Sequence, residues 1–441
     1  EKMTIGDTIV APSTPFGHSG LAVVRVSGVG AIQILSKLSS RNNFSDRLAT
    51  LSTLNDLNGN LIDRCIVTVF YGPNSYTGED VVEISTHGNP SVVGALVGAV
   101  CARGCRLAHP GEFTRQAFLN GKLDLVQAEA VAALIRSKSI ESSRSQQKII
   151  DGSLSIRLNI IQSTLSELLS QLEHLLDISE EDVLSLDVNA LLVDLDKIAL
   201  TVNQLQKSFS LGRLLSGGAT VVIVGATNVG KSTLLNRLSE SDRAIVSNVP
   251  GTTRDTIEVE LILDGVPVRF VDTAGLRGAK NSIEKEGIKR TYKAIEGADL
   301  VISLTDSRTK KHFTGSDLPT INVLNKADLR NEMKTDGRII HISAKSGAGI
   351  NALKRRLIND LGINRLSTEE DYLSTSRQHL SIKECSFALS RALSFFESDV
   401  LDVELLSFEV RSALDAIDAL LGKTSPDKIL NNIFDKMCVG K

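Results

Sequence analysis

Residues 219–233 read Ala219-Thr-Val-Val-Ile-Val-Gly-Ala-Thr-Asn-Val-Gly-Lys-Ser-Thr233, an apolar run followed at once by a glycine-rich turn. The β-branched residues before Gly225 predict a buried strand, and a helix is predicted to begin near Ser232. The turn between them satisfies the phosphate-binding pattern G-x-x-x-x-G-K-[ST]. Backbone amides and the amino terminus of a helix attract phosphate oxygens. We therefore predict a nucleotide site within an α/β sheet.

The side chains of this loop have separate expected roles. Lys231 is expected to neutralise β- and γ-phosphate oxygens during catalysis, and Ser232 is expected to hold Mg²⁺. The predicted nucleotide contacts of the loop are Asn228, Val229, Gly230, Lys231, Ser232 and Thr233.

Two downstream segments fit the regions that respond to the γ-phosphate. In Gly251-Thr-Thr-Arg-Asp255, Thr253 is the best candidate to bind Mg²⁺ and sense the γ-phosphate. Asp272-Thr-Ala-Gly275 follows a predicted strand, which places Asp272 for an outer-shell Mg²⁺ contact and Gly275 for an amide contact to the γ-phosphate. The nucleotide contacts predicted here are Thr252, Thr253, Asp272, Thr273, Ala274 and Gly275.

The base is expected to be guanine because of Asn325-Lys-Ala-Asp328. A carboxylate at Asp328 can accept two hydrogen bonds from guanine, whereas adenine lacks that pair of donors. Ser343-Ala-Lys345 fits the remaining base-binding loop. The predicted guanine contacts are Asn325, Lys326, Asp328, Ser343, Ala344 and Lys345. The ordered set of segments predicts a GTP-hydrolysing enzyme that uses Mg²⁺.

The residue that orients the attacking water is less obvious. Leu276 stands where a Ras-like enzyme would carry a glutamine. Glu284 and Glu286 are the alternatives that the residues themselves leave open.

Composition limits the other possibilities. The chain has 441 residues, 42% of them hydrophobic and 23% charged, which predicts several soluble globular domains. A net charge of −3 argues against non-specific nucleic-acid binding over the whole surface, although a local RNA-binding patch stays open. No apolar run of about 18 residues is present, so no membrane span and a cytoplasmic location are expected. The five cysteines indicate neither a disulfide framework nor a zinc site.

Three kinds of region follow one another along the chain. A leucine stripe from Leu154 to Leu175 and a second helical stretch from about Glu369 to Phe434 predict a helical bundle. The predicted core face of the second stretch is Leu406, Val410, Leu414, Ile417 and Leu421. Between them, an α/β pattern runs from Ala219 to about Gly362, entered through a predicted hinge at Ser216-Gly-Gly218. Residues before Pro110 predict a separate α/β unit, with strands at Leu21–Val26, Cys65–Phe70 and Val81–Ile84 and a helix near 91–102.

Segments outside the nucleotide motifs resemble the MnmE (TrmE) family, the tRNA uridine-34 modification GTPases, over essentially the whole chain. They are Asp7-Thr-Ile-Val-Ala11, Gly20-Leu-Ala-Val-Val-Arg-Val-Ser-Gly28, Gly72-Pro-Asn-Ser-Tyr-Thr-Gly-Glu-Asp80, His109-Pro-Gly-Glu-Phe113, Ala117-Phe-Leu-Asn-Gly-Lys-Leu-Asp124 and Cys438-Val-Gly-Lys441. The resemblance implies an α/β dimerisation and folate-binding domain at 1–115, a discontinuous helical-bundle domain at 116–215 and 366–441, and an inserted Ras-like P-loop G domain at 216–365. Thr227, where the family usually has proline, and Met437, where it commonly has an aromatic residue, depart from the pattern.

The same resemblance implies cofactors and their sites. A 5-formyl-tetrahydrofolate-type donor would contact Arg25, Glu83, Lys122 and Lys441, and Cys438 would be a functional thiol. K⁺ would replace an arginine finger and bring two G domains of a homodimer together. Its predicted ligands are Asn228, Ser247, Val249 and Thr252, of which Ser247 and Thr252 also count as nucleotide contacts. Glu284 rather than Glu286 becomes the catalytic glutamate.

The family function is modification of the tRNA wobble uridine together with an FAD-dependent partner of the MnmG (GidA) type. FAD is expected in that partner, because this chain has no convincing dinucleotide-binding glycine fingerprint. Two alternatives are a ribosome-assembly GTPase, which would need an RNA-binding module, and a signalling switch, which would hydrolyse GTP slowly and bind no folate.

Overall fold

The computed structural model describes residues 6–177, 188–241, 258–272, 292–307, 313, 317–329, 338–366, 371–397, 401–424 and 426–441. Contacts within the chain divide it into two compact units. The first unit comprises Glu1–Ile135, Ile149–Ala199 and Glu384–Lys441, and the second comprises Arg136–Lys148 and Leu200–Lys383.

A six-stranded sheet forms the amino-terminal part of the first unit. Its strands are β1 (Ile9–Pro12), β2 (Ser19–Ser27), β3 (Thr50–Asn55), β4 (Leu61–Phe70), β5 (Val81–Gly88) and β6 (Arg106–Leu107). Their order is β3-β4-β5-β2-β1-β6, with antiparallel pairing except between β1 and β6. Alternate residues of β2, namely Ala22, Val24 and Val26, face a core shared with α1 (Ala31–Leu38) and α2 (Pro90–Cys101). The strands and the helix predicted in this region are confirmed.

Long helices make up the rest of the first unit. The helices of the chain up to the nucleotide domain are α3 (Glu112–Leu119), α4 (Leu125–Arg136), α5 (Ile140–Ile150), α6 (Ser153–Asp177) and α7 (Val188–Gly217). Those near the carboxyl end are α10 (Ser376–Ser394), α11 (Val403–Leu421) and α12 (Asp427–Phe434). The four unit limits fall within α4, α5, α7 and α10.

The predicted leucine stripe is the buried face of α6, which packs against α11. Its buried members are Leu154, Leu158, Ile161, Leu165, Leu168, Leu172 and Leu175. Each such side chain contributes roughly 1.5–3 kcal/mol relative to exposure. On α11 the prediction needs one correction, because Leu414 is only partly buried and Ala413 takes the core position.

The second unit contains the predicted α/β sheet. Its strands are β7 (Ala219–Val224), β8 (Glu258–Leu263), β9 (Val266–Asp272), β10 (Leu300–Thr305), β11 (Thr320–Leu324) and β12 (Ile339–His341). The order is β12-β11-β10-β7-β9-β8, and only β8 and β9 pair antiparallel. Helices α8 (Lys231–Ser241) and α9 (Ile350–Asp360) and the helical residues 292–296 accompany it. Parallel strands are covered on both faces, which is why β10 is buried along its whole length.

The chain enters this sheet through a glycine cap. Helix α7 continues to Gly217, and Gly218 has a φ of +78°. A Cβ on Gly218 would lie 2.7 Å from the carbonyl oxygen of Pro267, so that a side chain has no room there. The hinge role of 216–218 and the domain limits at 115, 215 and 365 stay predictions.

Among the described residues, no helix is both long and apolar enough to cross a membrane.

Candidate functional site

The phosphate-binding loop joins the carboxyl end of β7 to the first turn of α8. A Cβ on Gly225 would lie 2.3 Å from the Leu304 carbonyl oxygen, and one on Gly230 would lie 2.3 Å from Asn325 Nδ2. Gly230 also has a φ of +98°, a region that favours glycine. The two glycines therefore let the loop pass directly beside β10 and beside residues 325–328, the predicted guanine-binding segment.

Lys231 and Ser232 have the environments that their predicted roles require. Lys231 is 5% exposed, and its Nζ donates to the carbonyl oxygens of Gly225 and Ala226, each at 2.8 Å. The exposed Ser232 hydroxyl donates to Oδ2 of the fully buried Asp272 at 3.1 Å. A hydroxyl and a carboxylate are ligands that Mg²⁺ prefers, directly or through water, so this pair fits the ion.

The buried side chain of Asn325 joins the predicted guanine-binding segment, residues 325–328, to the phosphate-binding loop. The buried Asn325 donates from Nδ2 to the Val229 carbonyl oxygen at 2.8 Å and accepts at Oδ1 from the Ala344 amide at 2.9 Å. Asp328 is exposed in the 3-10 turn Ala327–Leu329, which leaves its carboxylate accessible to a base. The structure thus brings three separately predicted segments to one edge of the sheet.

The remaining predicted contacts border the same edge. Asn228 and Thr233 are exposed on either side of Lys231, and Val229 is buried beneath the loop. Ser343 is 1% exposed, and Lys345 is exposed at the rim.

Two residues of this site were missed by sequence reasoning. Asp306 accepts from Lys326 Nζ at 2.9 Å, and Arg237 donates from Nε to the Ala344 carbonyl oxygen at 3.2 Å. Asp306 follows directly after the fully buried strand β10. A polar residue at the carboxyl end of a buried parallel strand was the available signal, because ligands of α/β sheets bind there. Arg237 lies on α8 and gave no sequence signal.

Several predicted residues lie outside the described part of the chain, and their roles stay predictions. They are Ser247, Val249, Thr252, Thr253, Thr273, Ala274, Gly275, Leu276, Glu284 and Glu286.

A second cluster lies in the first unit, around Arg25 on β2. Its guanidinium donates to Glu83 Oε1 from Nε at 3.0 Å and from Nη2 at 2.6 Å, across the β2–β5 pair. The rings of Tyr76 and Phe113 flank it, with centroids 5.3 and 5.7 Å from the guanidinium carbon. Tyr76 and Glu83 also line a cavity of about 320 Å³. The cluster therefore holds Arg25 in an ordered ion pair with Glu83, which lines the cavity.

The carboxyl-terminal segment packs onto this cluster. The Gly440 carbonyl oxygen accepts from Ser13 Oγ at 3.1 Å and from Arg25 Nη1 at 3.4 Å. Gly440 has a φ of +91°, and a Cβ there would lie 2.3 Å from the Pro12 carbonyl oxygen. The half-buried Lys441 is close enough to interact with Arg25 and Glu83. Its pKa is lowered because burial and the charge of Arg25 disfavour the ammonium, against the smaller opposing effects of Glu83 and Cys438.

The other two residues predicted for this site are exposed. Cys438 has an exposed side chain, and its carbonyl oxygen accepts from the Gly111 amide at 3.2 Å. Lys122 lies along the 72–80 loop, where a Cβ on Gly78 would be 3.4 Å from its Cε. Within the described residues, no hydrogen bond or ion pair joins Lys122 to Arg25, Glu83 or Lys441.

Comparisons with known proteins agree along the whole chain. Residues 8–122 match the GTP-binding protein TrmE N-terminus, and residues 125–438 match the MnmE helical domain. The tRNA modification GTPase MnmE of Aquifex aeolicus is 36% identical over 449 residues, which cover 99% of this chain and 100% of that protein. That of Cytophaga hutchinsonii is 39% identical over 453 residues, covering 99% and 98%. This chain belongs to the MnmE family of tRNA modification GTPases.

Membership of the MnmE family confirms the predicted resemblance and the predicted enzyme class, a GTP hydrolase. It also confirms a TrmE-type amino-terminal domain and a large helical domain. A solved structure of the G domain of the T. maritima FeoB iron transporter matches 32% of this MnmE-family chain and 98% of that chain, with 24% identity. Its TM-score of 0.24 is too low to bear on fold or function.

Proposed function

We propose that this protein hydrolyses GTP to drive the addition of a carboxymethylaminomethyl-type group to C5 of wobble uridine-34 in certain tRNAs. It acts in the cytoplasm with an FAD-dependent protein of the MnmG type. One observation supports the proposal most directly. The Ser232–Asp272 hydrogen bond and the hydrogen bond from Asn325 to the phosphate-binding loop lie at one edge of the sheet, in a chain that aligns over 99% of its length with an MnmE relative. The helical-domain match begins before this sheet and ends after it, which supports a G domain inserted at about 216–365.

Nucleoside analysis of tRNA from a strain lacking this protein tests the proposal. The modified wobble uridine should disappear and return with the parent gene, whereas Lys231→Ala should not restore it. Unchanged wobble uridine in the deletion strain would exclude the tRNA role and favour the ribosome-assembly or signalling alternatives.

The residues of the nucleotide site have separate proposed roles in hydrolysis. Lys231 and the loop amides bind the phosphates. Ser232 and Thr253 would hold Mg²⁺, with Asp272 as an outer-shell contact, and the ion would offset phosphate charge. Glu284 orients the attacking water. Glu284→Ala should abolish turnover with little loss of nucleotide affinity, and Glu286→Ala is the matched control. Full activity of Glu284→Ala would reassign the role.

Potassium is the proposed substitute for an arginine finger. Asn228 supports this proposal because it lies in the exposed stretch 226–228, the crest of the phosphate-binding loop, where an amide oxygen can bind a cation. Ser247, Val249 and Thr252 complete the proposed ligand set and join two G domains of a homodimer. Replacing Na⁺ by K⁺ should strongly accelerate GTP hydrolysis, and equal rates in the two salts would remove this mechanism.

A tetrahydrofolate one-carbon donor such as 5-formyl-tetrahydrofolate is proposed to bind at Arg25, Glu83, Lys122 and Lys441. The support is the paired Arg25 and Glu83 beside a cavity, with the second positive charge of Lys441 nearby. Arginine suits the anionic glutamyl tail, and a carboxylate suits the N–H donors of a pterin. Calorimetry should show binding that Arg25→Ala weakens and that Arg41→Ala, an exposed arginine of the same unit, leaves unchanged. No binding by the parent would discard the folate site.

A further inference from the structure

Lys326 connects the guanine-binding segment to the crest of the phosphate-binding loop. Its Nζ donates to the carbonyl oxygen of Asn228 at 2.7 Å and to Oδ2 of Asp306 at 2.9 Å. Three segments meet at this ammonium: the turn after β11, the carboxyl end of β10 and the loop after β7. The ammonium therefore ties the crest of the loop to two neighbouring strands.

Both ends of the Lys326–Asn228 contact have an unusual backbone conformation. Asn228 has a φ of +63° and Lys326 a φ of +62°. Residues other than glycine populate this region sparsely and keep it when surrounding contacts hold them. Next to these two residues, Asn325 binds the carbonyl oxygen of Val229. Hydrogen bonds from the predicted guanine-binding segment thus support the backbone conformation at Asn228.

Asp306 fixes the donor in this arrangement. The Asp306 side chain is 7% exposed, whereas that of Lys326 is 35% exposed. A long, partly exposed lysine side chain has several rotamers available, and an ion pair with a buried carboxylate selects one of them. Without the negative charge of Asp306, Lys326 would be free to turn towards solvent, and the Asn228 carbonyl would lose its donor.

We propose that Asp306 is a positioning residue that couples guanine recognition, through Lys326, to the conformation of Asn228 in the cation site. This inference rests on the proposed role of Asn228 as a K⁺ ligand. A bound guanine base that orders Lys326 also orders the crest of the loop, so K⁺ binds more tightly when the base is in place. Asp306 itself touches neither the cation nor the phosphates in this scheme.

The test uses the full-length protein with Asp306→Asn, which keeps the side-chain size and removes the charge. Two quantities are measured as K⁺ replaces Na⁺ at constant ionic strength: the initial rate of GTP hydrolysis at saturating GTP, and the affinity for a fluorescent, non-hydrolysable GTP analogue. The K⁺ concentration for half-maximal activation should rise by about fivefold or more, since an interaction with a charged group is lost. The maximal rate at saturating K⁺ should stay within about twofold of the parent, because the reacting groups are intact.

Two further variants separate positioning from a general loss of structure. Asp306→Glu keeps the charge and should restore most of the K⁺ affinity. Asp264→Asn is the matched control, because Asp264 is exposed in the β8–β9 turn and asparagine suits its φ of +44°. Circular dichroism melting should show that all three variants are folded.

The outcomes distinguish this inference from the proposed function beneath it. If the parent is K⁺-activated and Asp306→Asn keeps the parent half-maximal K⁺ concentration, the coupling is wrong and the potassium mechanism stands. If the parent itself hydrolyses GTP equally fast in Na⁺ and K⁺, the potassium mechanism fails and the coupling fails with it.

Discussion

Ser232 Oγ donates a hydrogen bond to Asp272 Oδ2 at 3.1 Å, although 40 residues separate the two along the chain. Ser232 lies in the first turn of α8, and Asp272 ends β9, the strand that pairs with β7. The hydroxyl is exposed and the carboxylate is buried. Ser232 can therefore exchange its partner for a metal ion while Asp272 stays fixed behind it.

Ser232→Ala should weaken the response of the enzyme to Mg²⁺. Loss of a ligand to a charged group costs about 1.5–3 kcal/mol, so we expect the half-maximal Mg²⁺ concentration to rise by about tenfold or more. Initial GTPase rates over a Mg²⁺ titration measure this. Ser239→Ala, at a partly exposed serine on the same helix, is the control. An unchanged Mg²⁺ requirement in Ser232→Ala would contradict the assignment.

Asp328→Asn should change the base that the site accepts. The asparagine amide cannot accept both donors of guanine, but it can donate to the 2-oxo group of xanthine. We expect the affinity for GDP to fall by about a hundredfold or more and that for XDP to rise. Fluorescent-nucleotide titrations with both diphosphates check the switch. Because Asp328 is exposed, the free energy of unfolding should change by less than about 0.5 kcal/mol. Retained preference for GDP would show that another group selects the base.

Gly440→Ala should impair folate binding without touching the nucleotide site. A Cβ would be forced within 2.3 Å of the Pro12 carbonyl oxygen at a φ of +91°, so the carboxyl-terminal segment must shift. Arg25 then loses the Gly440 carbonyl as an acceptor, and we expect about tenfold weaker binding of 5-formyl-tetrahydrofolate. Calorimetry measures it, with Gly94→Ala as the control because a Cβ there meets nothing within 4 Å. If Gly440→Ala and Gly94→Ala bind 5-formyl-tetrahydrofolate equally well, the carboxyl-terminal segment is not part of the folate site.

The pH dependence of folate binding should report Lys441. Its pKa lies below the usual 10.5, because burial and Arg25 disfavour the charged form. An anionic ligand prefers protonated Lys441, so affinity is full below this pKa and falls as pH rises through it. The fall should begin at a lower pH than an unperturbed lysine would give. Calorimetric titrations over about pH 7–10 should show it in the parent and not in Lys441→Arg, since arginine stays charged. Identical profiles would exclude Lys441 from the ligand contact.

The strand, loop and helix around Lys231 could be predicted from the sequence because their signals are contiguous. Lys231 and Ser232 follow a strand and begin a helix within one short stretch, and local backbone geometry sets their position. Asp306 has no neighbouring motif, and its role depends on parallel strands β10 and β11 placing it beside Lys326. This contact can be predicted only when the order of the strands in the sheet is known, and no single sequence motif gives that order.

The pairing of Arg25 with Glu83 is even harder to predict from the sequence. Arg25 and Glu83 are 58 residues apart, and only the β2–β5 register makes them partners. Without the family resemblance each is an ordinary surface charge. Leu414 illustrates a smaller failure: a repeat of three and four residues marks a helix face, but it does not decide whether Leu414 or Ala413 points deeper into the core.

The Asn325 side chain lies between two loops of the nucleotide site. Its amide donates to one loop and accepts from another at the same time, and among side chains of this length only asparagine can do both. Asn325 therefore joins the loop after β7 to the loop after β12. Neither hydrogen bond involves the nucleotide, so replacing GDP by GTP need not break either of them.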